Sequence, residues 1–281
     1  MIQVNKPGFY STIQDMGRFQ YRDKGVPVSG VMDAISAGFA NKLLNNDPTA
    51  AVMEITMTGP ELLFEEESYI AVCGAIMSPS INNNEIYNDE VYKVVPGDVL
   101  RFGKLKSGIR CYLAVKGGFD TEVVLESRSW YVSITEKFHL TIGLTLNIAK
   151  HKAFSPPENL PGMDHNFKEK ELEVYKGPEF NLLTEEQEYQ VLNGIFNIAK
   201  ENSRMACQLK QQLYPHKYSI LTSSTLPGTV QFTPSGKLII LMKDAQTTGG
   251  YPRILQLTAK AIALLAQKKT HEEILFSLVE Q

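Results

Sequence analysis

Cysteine is scarce in this 281-residue chain, at three residues, and tryptophan occurs once. Cys73, Cys111 and Cys207 stand apart with no C-x-x-C pair. An odd, scattered count excludes a disulfide scaffold and fits a reducing cytoplasm. Cys73 and Cys111 lie in apolar stretches and read as small buried hydrophobes. Long positive runs are missing too. Lys+Arg number 28 against 31 Asp+Glu, for a net charge of -3, so no basic surface for a phosphate backbone is expected and nucleic acid is not an expected partner. The longest apolar runs, such as Leu238-Ile239-Ile240-Leu241-Met242, are far too short to span a bilayer. Met1 to Pro7 shows no basic stretch followed by an apolar one, so neither a membrane partner nor a secretion signal is expected.

Several chemistries lack their motifs. Gly236-Lys237 is followed by Leu238 and has no upstream glycine, so there is no Walker loop. No G-x-G-x-x-G and no G-x-S-x-G elbow occurs. The five histidines are scattered and form no H-E-x-x-H, so no metal site is expected. His139, His165, His216 and His271 read as solvated. No biotin or lipoyl carrier motif is present; a nucleotide or carboxybiotin would need a partner's contribution.

What is there is an ordinary globular composition, 43% hydrophobic and 21% charged, able to bury a core without metals or disulfides. Short β-branched or aromatic runs bounded by Gly, Pro or Asn predict strands: Tyr69 to Cys73, Val91 to Val95, Val99 to Phe102, Arg110 to Val115, Thr229 to Phe232 and Lys237 to Met242. Three helices are predicted. The first runs from about Asp33 to Leu44, with an apolar stripe of Met32, Ile35, Phe39 and Leu43. The second starts at the capping box Thr184-Glu185-Glu186-Gln187 and carries Tyr189, Leu192, Ile195, Phe196 and Ile198. The third, Thr258 to Gln267, begins on a threonine cap. Polar, proline-bearing His151 to Glu171 is the linker candidate. Gly59-Pro60-Glu61 recurs as Gly177-Pro178-Glu179, and Gly117-Gly118 as Gly249-Gly250. The chain is thus expected to be mainly β with a few helices, as a duplicated β-barrel-like domain.

Three stretches hold more polar and glycine residues than a core needs. In Gly8 to Asp33, the N–H groups of the first helical turn could hold an anionic oxygen, Asp15 and Asp33 could move or orient a proton, and Arg18 could clamp a carboxylate or phosphate. The alternative is a structured loop before a capped helix. In Asp244 to Pro252, Gln246 offers both donor and acceptor to an amide or lactam, Thr247 and Thr248 offer hydroxyls, and Gly249-Gly250 permit close backbone approach. The alternative is a tight turn. Lys116 to Asp120 with Ser127-Arg128-Ser129 reads as a hairpin plus a surface arginine.

Taken in order, Thr12-Ile13-Gln14-Asp15-Met16-Gly17-Arg18, Gly25-Val26-Pro27-Val28-Ser29-Gly30-Val31-Met32-Asp33, Arg110 to Asp120, Ser127-Arg128-Ser129 and Asp244 to Pro252 resemble the family of the 5-oxoprolinase C subunit, also described as allophanate hydrolase subunit 2-like or KipA-like. The resemblance implies two cyclophilin-like β-barrel domains, expected at 1–155 and 172–281 around a 156–171 linker. Its implied partners are the A subunit of the 5-oxoprolinase together with the KipI-like B subunit, with ATP at a site shared with the partner and no bound metal or biotin. Such assemblies cleave 5-oxoproline to glutamate; related domains transfer carboxyl from carboxybiotin to urea, and some relatives act as regulators of a KipI-like kinase inhibitor. The implied catalytic residues are Asp15, Asp33, Asp244, Gln246, Thr247 and Thr248. The implied substrate-binding residues are Gln14, Arg18, Ser29, Gly30, Arg128, Arg204, Gly249, Gly250 and Tyr251. The chain departs from the family pattern at Phe19-Gln20, at Glu126 in place of a glycine, at Ser203 to Leu209, which lacks a glycine and a second arginine, and at Thr222 to Thr225, which lacks an acidic-glycine pair.

Overall fold

The computed structural model describes residues 1–150, 154–157, 162–163, 165–218 and 220–279. The chain divides into two compact units: Met1–Arg18 with Ser29–Asn166, and Phe19–Val28 with Phe167–Gln281. The segment Phe19–Val28, expected with the N-terminal part, therefore groups with the second unit. Of the expected linker, residues 158–161 and 164 lie outside the described residues.

The first unit contains β1 (Ile2–Lys6), β2 (Tyr10–Gln14), α1 (Ala34–Leu43), β3 (Val52–Thr56), β4 (Glu61–Phe64), β5 (Ser68–Ile76), β6 (Pro79–Ile81), β7 (Asn84–Glu85), β8 (Val91–Val94), β9 (Val99–Phe102), β10 (Ser107–Val115) and β11 (Thr145–Leu146). Its ladders form two sheets, β11-β1-β4-β9-β6-β7 and β2-β3-β10-β5-β8. Alternate residues from both, including Val4, Leu62, Phe64, Leu100, Met53 and Leu113, bury one core. Pro96-Gly97 joins β8 to β9 across the two sheets, so this turn is a corner and not a hairpin.

The helix α1 covers the outer face of the second sheet with Ala37, Ala40 and Leu43 against Ala71, Cys73, Tyr112 and Ala114. Of the expected apolar stripe, Met32 and Leu43 are buried and Phe39 packs against the same core, whereas Ile35 is half exposed and Ser36, Ala37, Ala40 and Asn41 are buried instead. Small residues let the helix lie close on the sheet, and that packing outweighs the larger side chains' pattern.

The second unit contains β12 (Glu171–Lys176), α2 (Glu185–Asn193), β13 (Phe196–Asn202), β14 (Ala206–Gln212), β15 (Ser223–Ser224), β16 (Thr229–Phe232), β17 (Lys237–Leu241), β18 (Thr248–Gly249), β19 (Arg253–Leu257), α3 (Ala259–Ala266) and β20 (Glu273–Leu278). Seven strands close a barrel in the order β12-β19-β16-β17-β14-β13-β20, filled by Leu172, Val174, Ile198, Val230, Phe232, Ile240 and Phe276. Closure removes the exposed sheet edges. The capping box forms as expected, with Gln187 N donating to Thr184 Oγ1 at 3.2 Å and Thr184 N to Gln187 Oε1 at 3.0 Å. The helix is shorter than expected: Phe196 and Ile198 belong to β13, and Tyr189 and Ile195 are exposed. Their alternation, buried at 196 and 198, is the two-residue period of a strand. Thr258 caps α3 through Ala261 N. Among the described residues no helix is long and apolar enough to cross a membrane, and no group of three or more His, Cys, Asp or Glu could hold a metal ion.

Candidate functional site

The loop before α1 is built around carboxylates. Asp15 Oδ1 accepts from Gly17 N at 2.8 Å and from the hydroxyls of Ser127 and Ser129, both at 2.6 Å. Its Oδ2 accepts from Arg128 N at 2.6 Å. Asp33 is the N-cap of α1: Oδ1 accepts from Ile35 N and Ser36 N, and Oδ2 accepts from Ser36 Oγ at 2.6 Å. Gln14 is fully buried, donating to Thr12 Oγ1 and Trp130 O and accepting from Gly30 N at 3.1 Å.

These contacts engage most of the donors expected to hold an anion. Gly30 N goes to Gln14, Val31 N to Asp15 O, Met32 N to Glu54 Oε2 at 2.7 Å and Asp33 N to Tyr112 Oη at 2.8 Å. With Ile35 N and Ser36 N on Asp33, the start of α1 is capped by the chain's own carboxylate. The chain carries the negative charge that a ligand would have supplied.

Arg18 is 1% exposed, and it donates to Val124 O from Nε and to Ser129 O from Nη2. It holds loop carbonyls and does not face solvent. Arg128 is half-buried and pairs with Asp120 at 2.8 Å. Ser29 is fully buried with φ +55°, and Gly30 follows at φ +84°. A Cβ on Gly30 would fall 2.8 Å from the carbonyl of Met16, so this crossing of two loop segments admits only glycine. Glu126, standing where the family pattern has glycine, holds φ +60° after Leu125 at φ +52°. This strained turn closes the Val124–Ser127 bridge that presents Val124 O to Arg18.

Sequence reading missed Glu54, Arg110 and Tyr112, which are buried below this loop. Tyr112 Oη donates to Glu54 Oε2 at 2.9 Å, and Arg110 Nε lies 3.9 Å from Glu54 Oε1. Burial pushes the Tyr112 phenol well above its ordinary pKa, with the charges of Glu54 and Asp33 adding to it. His165, expected to be solvated, is instead partly buried against Asp89 Oδ2.

The second unit assembles the other predicted residues. Arg204 and Asp244 form a buried two-pronged pair, Nε to Oδ2 at 2.7 Å and Nη2 to Oδ1 at 3.1 Å. Asp244 N also donates to Arg204 O at 2.8 Å. The pair therefore braces the base of the following turn. Beyond it β15 and β18 make a two-stranded ribbon, Ser223 opposite Gly249 and Ser224 opposite Thr248. Thr225 ties the ribbon down, donating Oγ1 to Gln246 O at 2.6 Å and N to Thr247 O at 3.0 Å. Arg22 Nη2 donates to Thr225 O and to Thr247 O at 3.5 Å. Burial lowers the Arg22 pKa from its ordinary value. Arg253 grips Glu179 with two nitrogens and donates to Ser224 O at 2.7 Å. Arg22, Thr225 and Arg253 were not singled out from sequence. Arg22 and Thr225 bond backbone carbonyls, which leave no mark in a residue pattern, and Arg253 meets Glu179 from 74 positions away.

Thr247 is buried, whereas Gln246, Thr248, Gly250 and Tyr251 are exposed. Gly249 packs against Gln231, a buried β16 residue also missed from sequence. The result is a braced turn presenting neutral amide and hydroxyl groups on the barrel.

The profile of the carboxyltransferase domain, subdomain A and B, matches residues 24–278. The chain belongs to that family. It is 30% identical over 273 residues to the 5-oxoprolinase C subunit of Escherichia coli strain K12, covering 95% of this chain and 87% of the relative. It is 43% identical over 130 residues to urea amidolyase of Lachancea kluyveri, covering 46% of this chain and 7% of the relative. The crystal structure of TTHA0988 superposes with a TM-score of 0.89 at 28% identity, over 98% of this chain. This chain spans 55% of that solved chain's length.

Proposed function

We propose that this chain is the C subunit of an ATP-dependent 5-oxoprolinase that opens 5-oxoproline to L-glutamate, active only in complex with the A subunit of that enzyme together with its KipI-like B subunit. The observation that carries this reading is similarity running through 95% of this chain and 87% of a relative named as that subunit. ATP, at a site shared with a partner subunit, supplies the driving force. Ring opening develops negative charge on the lactam oxygen, and fixed neutral donors stabilise such charge well where water is excluded. Exposed Gln246, Thr248 and Tyr251 on the braced turn suit that task. Arg204 and Asp244 hold the turn, and Asp15, Asp33 and Arg18 hold the loop before α1, as positioning residues.

The test is oxoproline-stimulated ATP hydrolysis and glutamate formation by the co-expressed complex, wild type against Gln246→Ala. Loss of about ten-fold or more in kcat/KM for an intact variant complex supports the reading. A stable wild-type complex with no turnover overturns it. A second reading, carboxyl transfer to urea, is favoured by the 43% identity to a urea amidolyase segment. Carboxybiotin-dependent, avidin-sensitive consumption of urea separates it from the first.

A further inference from the structure

The strand β16 carries a buried amide in an unusual place. Val230 and Phe232 fill the barrel, so alternation turns Gln231 to the opposite face, where it is still only 1% exposed. What covers it there is the signature turn. A Cβ on Gly249 would lie 2.3 Å from Gln231 Nε2 and 3.3 Å from the Thr225 methyl. Gln246 Nε2 donates to Gln231 Oε1 at 3.5 Å, the outer limit of a hydrogen bond. Gln231 Nε2 has no partner among the described residues. A buried N–H without an acceptor is costly, and a methionine or leucine at this point would avoid the cost, so the amide calls for a reason other than stability.

A carboxamide presents C=O and one N–H along the same edge. Lactams, whose ring forces the amide cis, present N–H and C=O along one edge as well, and so does urea. Open-chain secondary amides are trans and present the two groups on opposite edges. A carboxamide therefore pairs through two parallel hydrogen bonds with lactams and ureas, and through one with trans amides.

We propose that Gln231 is the specificity-determining substrate-binding residue of this turn. Its Nε2–H donates to the carbonyl oxygen of a lactam or urea-type substrate. Its Oε1, released when the exposed Gln246 side chain swings aside, accepts the N–H of the same substrate. This deepens the lactam reading above and rests on it for the reaction, while the binding step stands apart from turnover. It also accounts for one scaffold serving a lactam and urea.

The experiment has two arms. In the co-expressed complex, Gln231→Met keeps length and removes the amide. The expected result is a KM for 5-oxoproline raised about ten-fold, the equivalent of one to two neutral hydrogen bonds, with Tm unchanged or higher. Gly249→Ala, whose methyl displaces the amide, raises KM in the same direction. An unchanged KM in Gln231→Met, or a KM rise accompanied by a lower Tm, overturns the proposal. In the second arm the full-length chain is titrated with 2-pyrrolidinone, urea and N-methylacetamide while the side-chain amide signals of Gln231 are followed by NMR. Shifts with the first two and none with the trans amide support the proposal even where the complex shows no oxoproline turnover, which would sink the reaction assignment alone. No shift with any of the three, or equal shifts with all, overturns it.

Discussion

Replacing Asp15 separates an architectural carboxylate from a catalytic one. Asp15 is half-buried and takes four hydrogen bonds, from Gly17 N, Arg128 N and the hydroxyls of Ser127 and Ser129, at 2.6–2.8 Å. Hydrogen bonds to a charged group contribute about 1.5–3 kcal/mol each. Their plain sum overstates the loss, because the serines can re-pair: Ser129 N already donates to Ser127 Oγ at 3.0 Å. Asp15→Ala should therefore cost about 3 kcal/mol, most of it from the Gly17 and Arg128 N–H groups left without an acceptor. For a unit of this size that is a fall in Tm of about 6–12 °C. Asp15→Asn keeps one acceptor oxygen but turns an NH2 toward Arg128 N, and should cost about 1–2 kcal/mol. Differential scanning calorimetry measures both, and Ser129→Ala in a double-mutant cycle should show coupling of about 1 kcal/mol or more. A variant Asp15→Ala melting within about 1 °C of the parent while losing turnover would refute the architectural role and restore Asp15 as a proton-transfer group.

Three further outcomes follow from the same contacts. Arg204→Met strands buried Asp244 and should cost about 3–5 kcal/mol by urea denaturation, and adding Asp244→Leu should recover most of it. Glu179 is held below the usual carboxylate range, first by its hydrogen bond from Arg253. Its stabilisation is thus complete above the unfolded-state value of about 4.3 and is lost as pH falls through the lower folded-state value. Glu179→Gln should therefore lower stability at neutral pH and flatten its decline below about pH 4, and parallel acid-melting curves for the two proteins would contradict this. Glu126→Gly relieves a left-handed residue at φ +60° and should raise stability by up to about 1 kcal/mol after the entropy cost of glycine, read as a higher Tm.

Elements whose signals are local were legible in the sequence. The Thr184 box, the Thr258 cap and the runs that became β9, β16 and β17 all rest on neighbours within four positions, where propensity and capping act. The small-residue face of α1 and the exposure of Ile35 were not legible, because they depend on how near the sheet the helix can sit, and that is set by side chains on β5 and β10. In the candidate site the segments were visible but the roles were not. Asp15 and Ser127 are distant in sequence and meet only in the fold. Glu54 and Gln231 lie within strands, where a polar residue flanked by apolar ones reads as solvent-facing. Each is instead covered, Glu54 by the backbone before α1 and Gln231 by the turn at Gly249.

That pattern bears on which groups can meet a substrate. The charged residues of both signature loops spend their hydrogen bonds on the chain itself: Asp15 and Asp33 on N–H groups, Arg18 and Arg22 on carbonyls, and Arg204 and Asp244 on each other. A charge so occupied is a poor partner for a ligand, since recruiting it means breaking bonds worth more than a neutral contact returns. The groups left over on the barrel turn are neutral: Gln246, Thr248, Tyr251 and the amide of Gln231 beneath them. Neutral donors match an uncharged amide group better than charged ones do, because neither side loses a tight hydration shell when water is excluded. The charged side chains fix the shape of the turn, and the uncharged ones it presents fix what the turn can recognise.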